Sequence, residues 1–462
     1  MGTLVGVLPG LGPTATISML LPLTYGIGAT PAMIMMAGIY YGAQYGGSTT
    51  AILLNTPGEV SSVMTCIDGN KMTHQGRAGV AILTAGIASF IAGIITIILM
   101  AIFSQPISQV AFKFGPAEYC SLMLLGLVSA GVLTQGDLLK GLAMAGLGVL
   151  LGIVGTDVNS GVTRFTFGWP DLFDGIGFAS VAIGLFGISE SVKSLFERNP
   201  PQLYKGKISL WPTREDIRRL IPASLRGTGV GAITGIIPGG GAALSSFAAY
   251  IFEKRVNKEA RLGEGAIEGV AAPEAANNAS AQANFIPLLS FGIPENAIMA
   301  LMLAVLTMNG IQPGPNLISH QPALFWGLTA SMLIGNLFLL ILNVPLVTLW
   351  VQIIRIPRYV LYPIVLAACA IGVYTINNNV NDIYITMFFG AVGLLFIWLE
   401  LEPAPLMLGL VLGPMLEENF RRQMIISDGS WMSFVERPIS ATILAILAIF
   451  VIYGLKKLLA NK

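Results

Sequence analysis

The sequence predicts an all-α polytopic membrane protein, with two structural repeats in inverted orientation, broken or re-entrant helices and about 10–13 membrane elements. Composition is the first reason: of 462 residues, 54% are hydrophobic and 11% are charged, whereas soluble domains carry about 25% charged residues. Uncharged runs longer than one membrane span are the second. The third is that proline and glycine motifs interrupt these runs at corresponding places in two halves of the chain.

The character of the apolar runs predicts helices rather than barrel strands. Lipid accepts only helices or closed barrels, because every backbone polar group must be hydrogen-bonded within the protein. Barrel strands alternate apolar and polar residues over about ten positions, whereas residues 80–103 and 441–455 are almost continuously apolar. Charge-free runs cover residues 1–58, 78–112, 227–252 and 296–354.

The placement of the charges predicts the division of the chain. Residues 193–219 form the longest hydrophilic stretch and are rich in Lys and Arg, so the positive-inside rule places them in the cytoplasm, together with Lys456 and Lys457. We expect a first transmembrane repeat at residues 1–192, a cytoplasmic basic linker at 193–219, a second repeat at 220–437, and a C-terminal transmembrane helix and tail at 438–462.

Several classes of function are excluded by composition. A net charge of +1 offers no electrostatic surface for nucleic acid. Cys66, Cys120 and Cys369 form no CxxC pair, and neither His74 nor His320 belongs to a zinc motif. The N-terminus lacks the basic region of a cleaved signal peptide, so its first helix is expected to stay in the membrane. We expect no cofactor other than a coupling ion.

Two pairs of proline-centred motifs form the internal repeat. Residues 6–13 read GVLPGLGP and residues 235–241 read GIIPGGG, so Pro238 follows Pro9 by 229 positions. Residues 55–59 read NTPGE and residues 292–296 read GIPEN, so Pro294 follows Pro57 by 237 positions. The similar spacing indicates two duplicated units.

Such motifs break membrane helices and point to a binding site. Proline removes a backbone donor, and broken backbone at membrane depth survives only inside protein or along a wet cavity. Paired discontinuous helices mark the binding site of transporters, and their N-termini suit an anion. We therefore expect the substrate to be bound by Gly10, Gly12, Thr14, Asn55, Thr56, Pro57, Gly58, Gly239, Gly240, Gly241, Ser245, Gly292, Pro294 and Asn296.

Polar residues near the second pair of motifs are candidates for a coupling ion. Neutral oxygens and intramembrane carboxylates suit Na⁺ or a proton. An ordinary interhelical hydrogen-bonding role remains open for each polar group, and a helix-capping role for the two carboxylates. The candidates are Ser48, Thr49, Glu59, Asn277, Asn278 and Glu295.

Other charges near helix ends have simpler interpretations. Arg164 is able to meet a substrate carboxylate bidentately, but its position after the loop residues 159–161 favours a structural ion pair. The basic residues of 254–261 are interpreted as a topogenic loop.

A series of short motifs runs along essentially the whole chain in a fixed order. The motifs are residues 6–13, Tyr41-Gly42, Gly46-Gly47-Ser48, 51–53, Pro57-Gly58, Asp68-Gly69, Gly76, 155–157, 164–168, 184–190, 313–315 and 412–419. In these motifs and their order, the chain resembles the large membrane subunit of the tripartite tricarboxylate transporters, the TctA type.

The resemblance implies a bacterial inner-membrane protein that works with a small membrane subunit and a periplasmic solute-binding protein. Members import citrate, other carboxylates or related organic anions, driven by an ion gradient; the sequence contains no GxxxxGK[ST] motif. Relatives usually carry a longer stretch before the first motif than the eight residues before Pro9, which leaves the first helix of repeat one in question.

The residues by themselves leave other functions open beside an ion-coupled carboxylate importer of elevator type. These are a stand-alone ion-coupled anion carrier, a passive anion channel and an intramembrane enzyme. An enzyme requires a nucleophile with its base or a metal site, and neither HExxH nor a GxSG element is present. Channels use rings of like charge or filter carbonyls, whereas two non-identical Pro-Gly repeats suit a carrier.

Overall fold

The computed structural model describes residues 2–6, 12–24, 26–55, 57, 59–133, 138–157, 160–196, 211–237, 241–346 and 358–460. These residues are helical, apart from connecting loops and the two-residue strands β1 (Gly155–Thr156) and β2 (Thr163–Arg164). The strands pair antiparallel with Gly155 opposite Arg164. The predicted all-α polytopic class is thereby confirmed, with a small hairpin at residues 155–164.

The helices are numbered here in chain order. They are α1 (Gly2–Gly6), α2 (Pro13–Leu20), α3 (Ala29–Leu54), α4 (Val63–His74), α5 (Ala78–Ala111), α6 (Pro116–Leu133), α7 (Leu138–Gly152), α8 (Phe178–Ala182), α9 (Ser189–Phe196), α10 (Arg214–Thr234), α11 (Gly241–Val256), α12 (Glu268–Ala283), α13 (Phe285–Phe291), α14 (Ala297–Met308), α15 (Leu317–His320), α16 (Pro322–Asn343), α17 (Arg358–Asn377), α18 (Val380–Trp398), α19 (Ala404–Ile426), α20 (Ser433–Glu436) and α21 (Pro438–Ala460). Short 3₁₀ turns lie at Leu21–Thr24, Val60–Ser62 and Pro170–Leu172, and a π-helical stretch at Ile183–Ile188 joins α8 to α9.

Within the described ranges, four helical segments are long and apolar enough to cross a membrane. They are α5, α16, α18 and the continuous stretch Phe178–Phe196. Shorter apolar helices include α7 and α14. The chain is thus a multi-pass membrane protein, while its number of membrane elements stays a prediction.

Helix α12 is the element that the hydropathy pattern does not predict. Its sequence, EGVAAPEAANNASAQA, contains a proline, two carboxylates and three amides, yet every residue of it is buried. A helix surrounded by protein needs no lipid-facing apolar stripe, and alanine, glutamate and glutamine have high helix propensity. Its small side chains let the neighbouring helices α5, α10 and α11 pack closely around it.

Glycines bring α10 against α12. Side-chain atoms added at Gly227 and Gly231 would overlap the carbonyl oxygens of Ala272 and Ala276, and one at Gly235 would lie 2.7 Å from the Ser280 backbone. This four-residue spacing is the small-xxx-small pattern of close membrane-helix contacts.

The same contact occurs between α1 and α3 in the first half. A Cβ atom on Gly2 would lie 2.5 Å from the carbonyl oxygen of Ile39, and one on Gly6 would overlap that of Ala43. Gly231 follows Gly2 by 229 positions and Ala276 follows Ile39 by 237. These are the two spacings that separate the paired proline motifs.

Arginine–carboxylate pairs join elements of the fold that are separated in the sequence. Arg219 binds Glu268 bidentately at 2.7 Å, and Arg226 holds Glu253 at 2.6 and 2.8 Å. Further pairs of this kind are Arg77–Asp216, Arg164–Glu417, Arg421–Asp157 and Arg437–Glu118.

Candidate functional site

The first described break separates α3 from α4. Helix α3 ends at Leu54, and Asn55 follows it in the left-handed region, with φ 53° and ψ 28°. Glu59 is extended, with φ −150° and ψ 167°, and begins a 3₁₀ turn that leads into α4. Asparagine is among the few residues besides glycine that adopt this left-handed conformation readily. The neighbouring predicted residues Thr56 and Gly58 lie outside the described residues.

The second break, between α13 and α14, repeats this backbone geometry. Gly292 ends α13 with φ 69° and ψ 24°. Asn296 is extended, with φ −145° and ψ 176°, and its Oδ1 accepts the N–H of Met299 at 3.0 Å. Gly292 follows Asn55, and Asn296 follows Glu59, by 237 positions each.

The two breaks differ in exposure. Asn55 and Pro57 are exposed, whereas Gly292 and Pro294 are buried. Equivalent backbone segments therefore lie in different surroundings in this one conformation.

The glycine-rich motifs are described in part. Gly10, Gly239 and Gly240 lie outside the described residues. Gly12 precedes α2 in an extended conformation, and its carbonyl accepts the Thr16 N–H. Thr14 accepts a hydrogen bond from Ser18 at its carbonyl, while Ser245 pairs with Thr234 at 2.6 Å and donates to the Gly241 carbonyl at 2.9 Å.

One amide that was expected to meet a substrate anion is already occupied. The N–H of Gly241, at the start of α11, donates to the Glu295 carboxylate. Glu295 is buried, and its second oxygen, Oε2, has no hydrogen-bond partner. The Glu295 carboxylate, from the second break, thus caps the N-terminus of α11.

Tyr40 on α3 marks the place where the two breaks approach each other. Its hydroxyl lies beside the side chains of Asn296 and Gln44, and the carboxyls of Glu59 and Glu295 are near enough to act on it electrostatically. The Glu59 carboxyl also lies beside Asn277 of α12. Residues 237 positions apart in the sequence therefore contribute to one buried region.

This region contains buried polar atoms that lack a hydrogen-bond partner. Both amide atoms of Gln44, Asn277 and Asn284 are of this kind, as are the hydroxyls of Tyr41 and Ser280. Each such group costs about 1–3 kcal/mol when left unpaired. They lie on α3, on α12 and at Asn284 directly after α12, and buried groups of this kind are completed by ordered water, an ion or a ligand.

Among the coupling-ion candidates, Ser48 and Asn278 make specific contacts. Ser48 donates to Glu274 Oε2 at 2.7 Å, and Asn278 Nδ2 donates to Ser89 Oγ at 2.7 Å. Thr49 lies one residue further along α3 and bonds weakly to the Tyr45 carbonyl at 3.4 Å.

Glu274 is the residue that sequence reasoning missed as a candidate. Its carboxylate accepts hydrogen bonds from Ser48 and from Thr65. The sequence feature that could have identified it is its isolation, because no other ionisable residue stands between Glu268 and Glu295.

A separate ion-pair network lies at the hairpin and α19. Arg164 holds Glu417 bidentately at 2.7 and 3.1 Å, and Arg421 binds both Glu417 and Asp157. The Glu417 hydrogen bonds raise the pKa of Arg164 above its usual value. The interpretation of Arg164 as a structural ion pair agrees with this geometry.

A cavity of about 590 Å³ lies beside this network and is lined by none of the predicted substrate residues. Four carboxylates and one arginine line it, namely Asp157, Asp174, Glu417, Glu418 and Arg164. Asp157 and Glu417 are already paired with arginines, while the lining as a whole carries more carboxylates than bases.

Comparison with known proteins decides the family. A model of the tripartite tricarboxylate transporter TctA family matches residues 1–408. The chain belongs to this family. TctA is a family of transporters, so membership supports a role as the membrane subunit of a tricarboxylate transporter and not as an enzyme.

Two relatives of this TctA-family chain come from Agrobacterium vitis. The "Uncharacterized 52.8 kDa protein in TAR-I ttuC' 3'region" is 52% identical over 448 residues, which cover 96% of this chain and 89% of the relative. The "Uncharacterized protein in TAR-II ttuC' 3'region" is 51% identical over 233 residues, or 50% of this chain and 96% of the relative. No solved structure matches the chain significantly.

Proposed function

We propose that this TctA-family chain is the large membrane subunit of a binding-protein-dependent secondary transporter. It imports tricarboxylates or other organic carboxylates across the bacterial inner membrane, driven by a Na⁺ or H⁺ gradient. A small membrane subunit and a periplasmic solute-binding protein complete the system. The basic linker and the C-terminus face the cytoplasm, in accordance with the positive-inside rule.

The observation that carries this proposal is the group of unpaired buried polar atoms between the two breaks. Gln44 on α3 and Asn277 on α12 each present an amide donor and an amide acceptor without a partner. Amide donors suit the carboxylate oxygens of an organic acid. Family membership supplies the class of substrate.

We infer that the substrate-binding unit arose from two repeats, 1–192 and 220–437. The shared spacings of 229 and 237 positions support this, because they relate the proline motifs, the glycine contacts and the backbone conformations of the breaks alike. The substrate lies between the repeats, near Asn55, Pro57, Pro294 and Asn296. When the substrate binds, its carboxylate replaces Glu295 as the acceptor of the Gly241 N–H, because either carboxylate suits the same helix N-terminus.

We expect alternating access to occur by an elevator-type displacement of one helix bundle relative to the other. The tight glycine contacts of α10 on α12 suit movement of those helices as one body. The exposed first break and the buried second break are consistent with a site open to one side at a time.

Uptake of a labelled tricarboxylate tests the proposal. We expect cells containing the chain with both partners to accumulate the label above its external concentration, and to lose accumulation when the ion gradient is dissipated. Gln44→Ala and Asn277→Ala are expected to reduce uptake at least tenfold at unchanged membrane abundance. The matched control is Ser121→Ala, which removes a buried hydroxyl paired with Ser440 on other helices. Gradient-independent equilibration would instead indicate a channel, and normal uptake by both amide variants would refute the site.

A further inference from the structure

Buried carboxylates in the described part of the chain differ in their partners. Glu118, Glu253 and Glu268 bind arginines, as do Asp157 and Asp216. In the described part of the chain, the buried residues Asp68, Glu274, Glu295 and Asp382 have no basic partner within ion-pair distance. Backbone N–H groups and Tyr250 bind Asp68, and Asn377 donates to Asp382. Buried charges are normally paired or bound to a metal ion.

Among these carboxylates, Glu274 is the one that accepts hydrogen bonds from two hydroxyl groups of the other half of the chain. The residue is 1% exposed. Ser48 of α3 donates to Oε2 at 2.7 Å, and Thr65 of α4 donates to Oε1. Tyr45, Cys66 and Glu59 are titratable neighbours of this carboxylate among the described residues, and none of these three carries positive charge.

A small cavity adjoins this carboxylate. Its volume is about 10 Å³, which is the smallest space that holds one water molecule or one monatomic ion. Oxygen-bearing side chains line one part of it, from Ser48, Thr49, Ser89, Glu274 and Asn343, and apolar residues such as Ile52 and Ile82 line the rest. Four helices, α3, α5, α12 and α16, supply these side chains.

Asn343, at the end of α16, gives an independent sign of a ligand. The residue is 2% exposed, and its Nδ2 donates to the Leu339 carbonyl at 2.8 Å. Its Oδ1 has no hydrogen-bond partner, although the side chain lines the cavity. An amide oxygen without a donor, beside a carboxylate without a cation, forms an acceptor-rich pocket that a small cation satisfies.

We propose that this cavity is a Na⁺ site, in which Glu274 supplies the charge and Asn343 Oδ1, Ser48 Oγ and Thr49 Oγ1 supply neutral oxygens. The assignment rests on the proposed ion-coupled transport and identifies its cation. Because the ligands come from both halves of the chain, a bound Na⁺ couples the position of α3 to that of α12. The substrate region around Gln44 and Asn277 lies on the same two helices.

Thermal unfolding of the purified full-length chain in detergent, without substrate or partners, tests the site. We expect NaCl to raise the wild-type Tm in a saturable manner, and KCl or choline chloride at equal ionic strength to have no such effect. Glu274→Gln and Asn343→Leu are expected to raise the half-saturating Na⁺ concentration at least tenfold. Gln423→Leu, which removes a buried amide with an unpartnered oxygen on α19, is expected to keep the wild-type response.

The outcomes separate this site from the transport proposal. Equal Tm in Na⁺ and K⁺ for the wild type would overturn the site, as would an unchanged Na⁺ response in both Glu274→Gln and Asn343→Leu. A response to pH alone would assign the carboxylate to a proton and would also overturn it. If Glu274→Gln does not fold, Ser48→Ala takes its place with the same expected tenfold shift. Failure of tricarboxylate uptake with an intact Na⁺ response would contradict only the proposed substrate.

Discussion

Asn55 and Gly292 end two different helices in the same left-handed conformation. Their φ angles are 53° and 69°, and they stand 237 positions apart. Their surroundings differ, since a Cβ atom on Gly292 would lie 2.8 Å from the carbonyl oxygen of Pro313. The same backbone conformation is therefore adopted by asparagine at an exposed position and by glycine at a buried one.

Gly292→Ala is expected to destabilise the protein, while Asn55→Gly is expected to be neutral within about 0.5 kcal/mol. The alanine must adopt a left-handed conformation, which costs about 1–2 kcal/mol, and its methyl group also meets Pro313. Thermal melting of the two purified variants measures the difference. Equal melting temperatures for Gly292→Ala and the wild type would show that this break relaxes freely.

Gly231→Leu is expected to separate α10 from α12. A side chain at this position overlaps the Ala276 carbonyl, and overpacking of this kind costs about 1–3 kcal/mol or more. Gly229 on the same helix has no atom within 4 Å of its added Cβ, so Gly229→Ala is the matched control. We expect Gly231→Leu to lower Tm and reduce uptake, and Gly229→Ala to leave both unchanged or to raise Tm slightly.

Asp68→Asn is expected to loosen the loop between α11 and α12. The Asp68 carboxylate accepts the N–H groups of Gly263, Gly265 and Ala266 at 2.8–3.0 Å, and the Tyr250 hydroxyl at 2.9 Å. Hydrogen bonds to a charged group contribute about 1.5–3 kcal/mol each. Hydrogen exchange over residues 257–266 should accelerate in Asp68→Asn, and much less in Tyr250→Phe. Unchanged protection in Asp68→Asn would contradict this role.

Asp216 in the basic linker is expected to make stability depend on pH. Burial by itself raises the pKa of its carboxyl, but the Thr213 N–H and Arg77 together outweigh burial and bring the pKa below its usual value. A depressed pKa in the folded state contributes stability above the unfolded pKa of about 3.9, and this stability is lost as pH falls through the folded pKa.

Asp216→Asn should therefore lower Tm at pH 7, and its difference from the wild type should shrink as pH falls below about 4. Melting curves across this range measure the effect. A Tm difference that stays constant with pH would mean that Asp216 acts through its shape rather than its charge.

Local sequence features predicted much of the helical framework. The uncharged run at residues 78–112 corresponds to α5, Ala78–Ala111, because a long apolar helix satisfies its own backbone in lipid. The motif around Pro294 corresponds to the interruption between α13 and α14, because proline and glycine act on the backbone of their own segment. The family resemblance is confirmed as well.

Helix α12 could not be predicted from hydropathy, because its burial depends on the helices around it. The environment of Glu295 was not predictable either, since its carboxylate accepts a hydrogen bond from the N–H of Gly241, which lies 54 positions earlier in the chain. Exposure of the two breaks also differs for a tertiary reason. The same local pattern is buried at Pro294 and exposed at Pro57.

The sequence by itself determined that this protein lives in a membrane, that it is helical, and where its paired proline motifs stand. These properties depend on composition and on backbone chemistry within short segments. Only the tertiary structure decided which carboxylates have partners. Glu274 meets Ser48, Thr65 and the cavity lined by Asn343 because four helices distant in sequence pack together, and no local pattern encodes that packing.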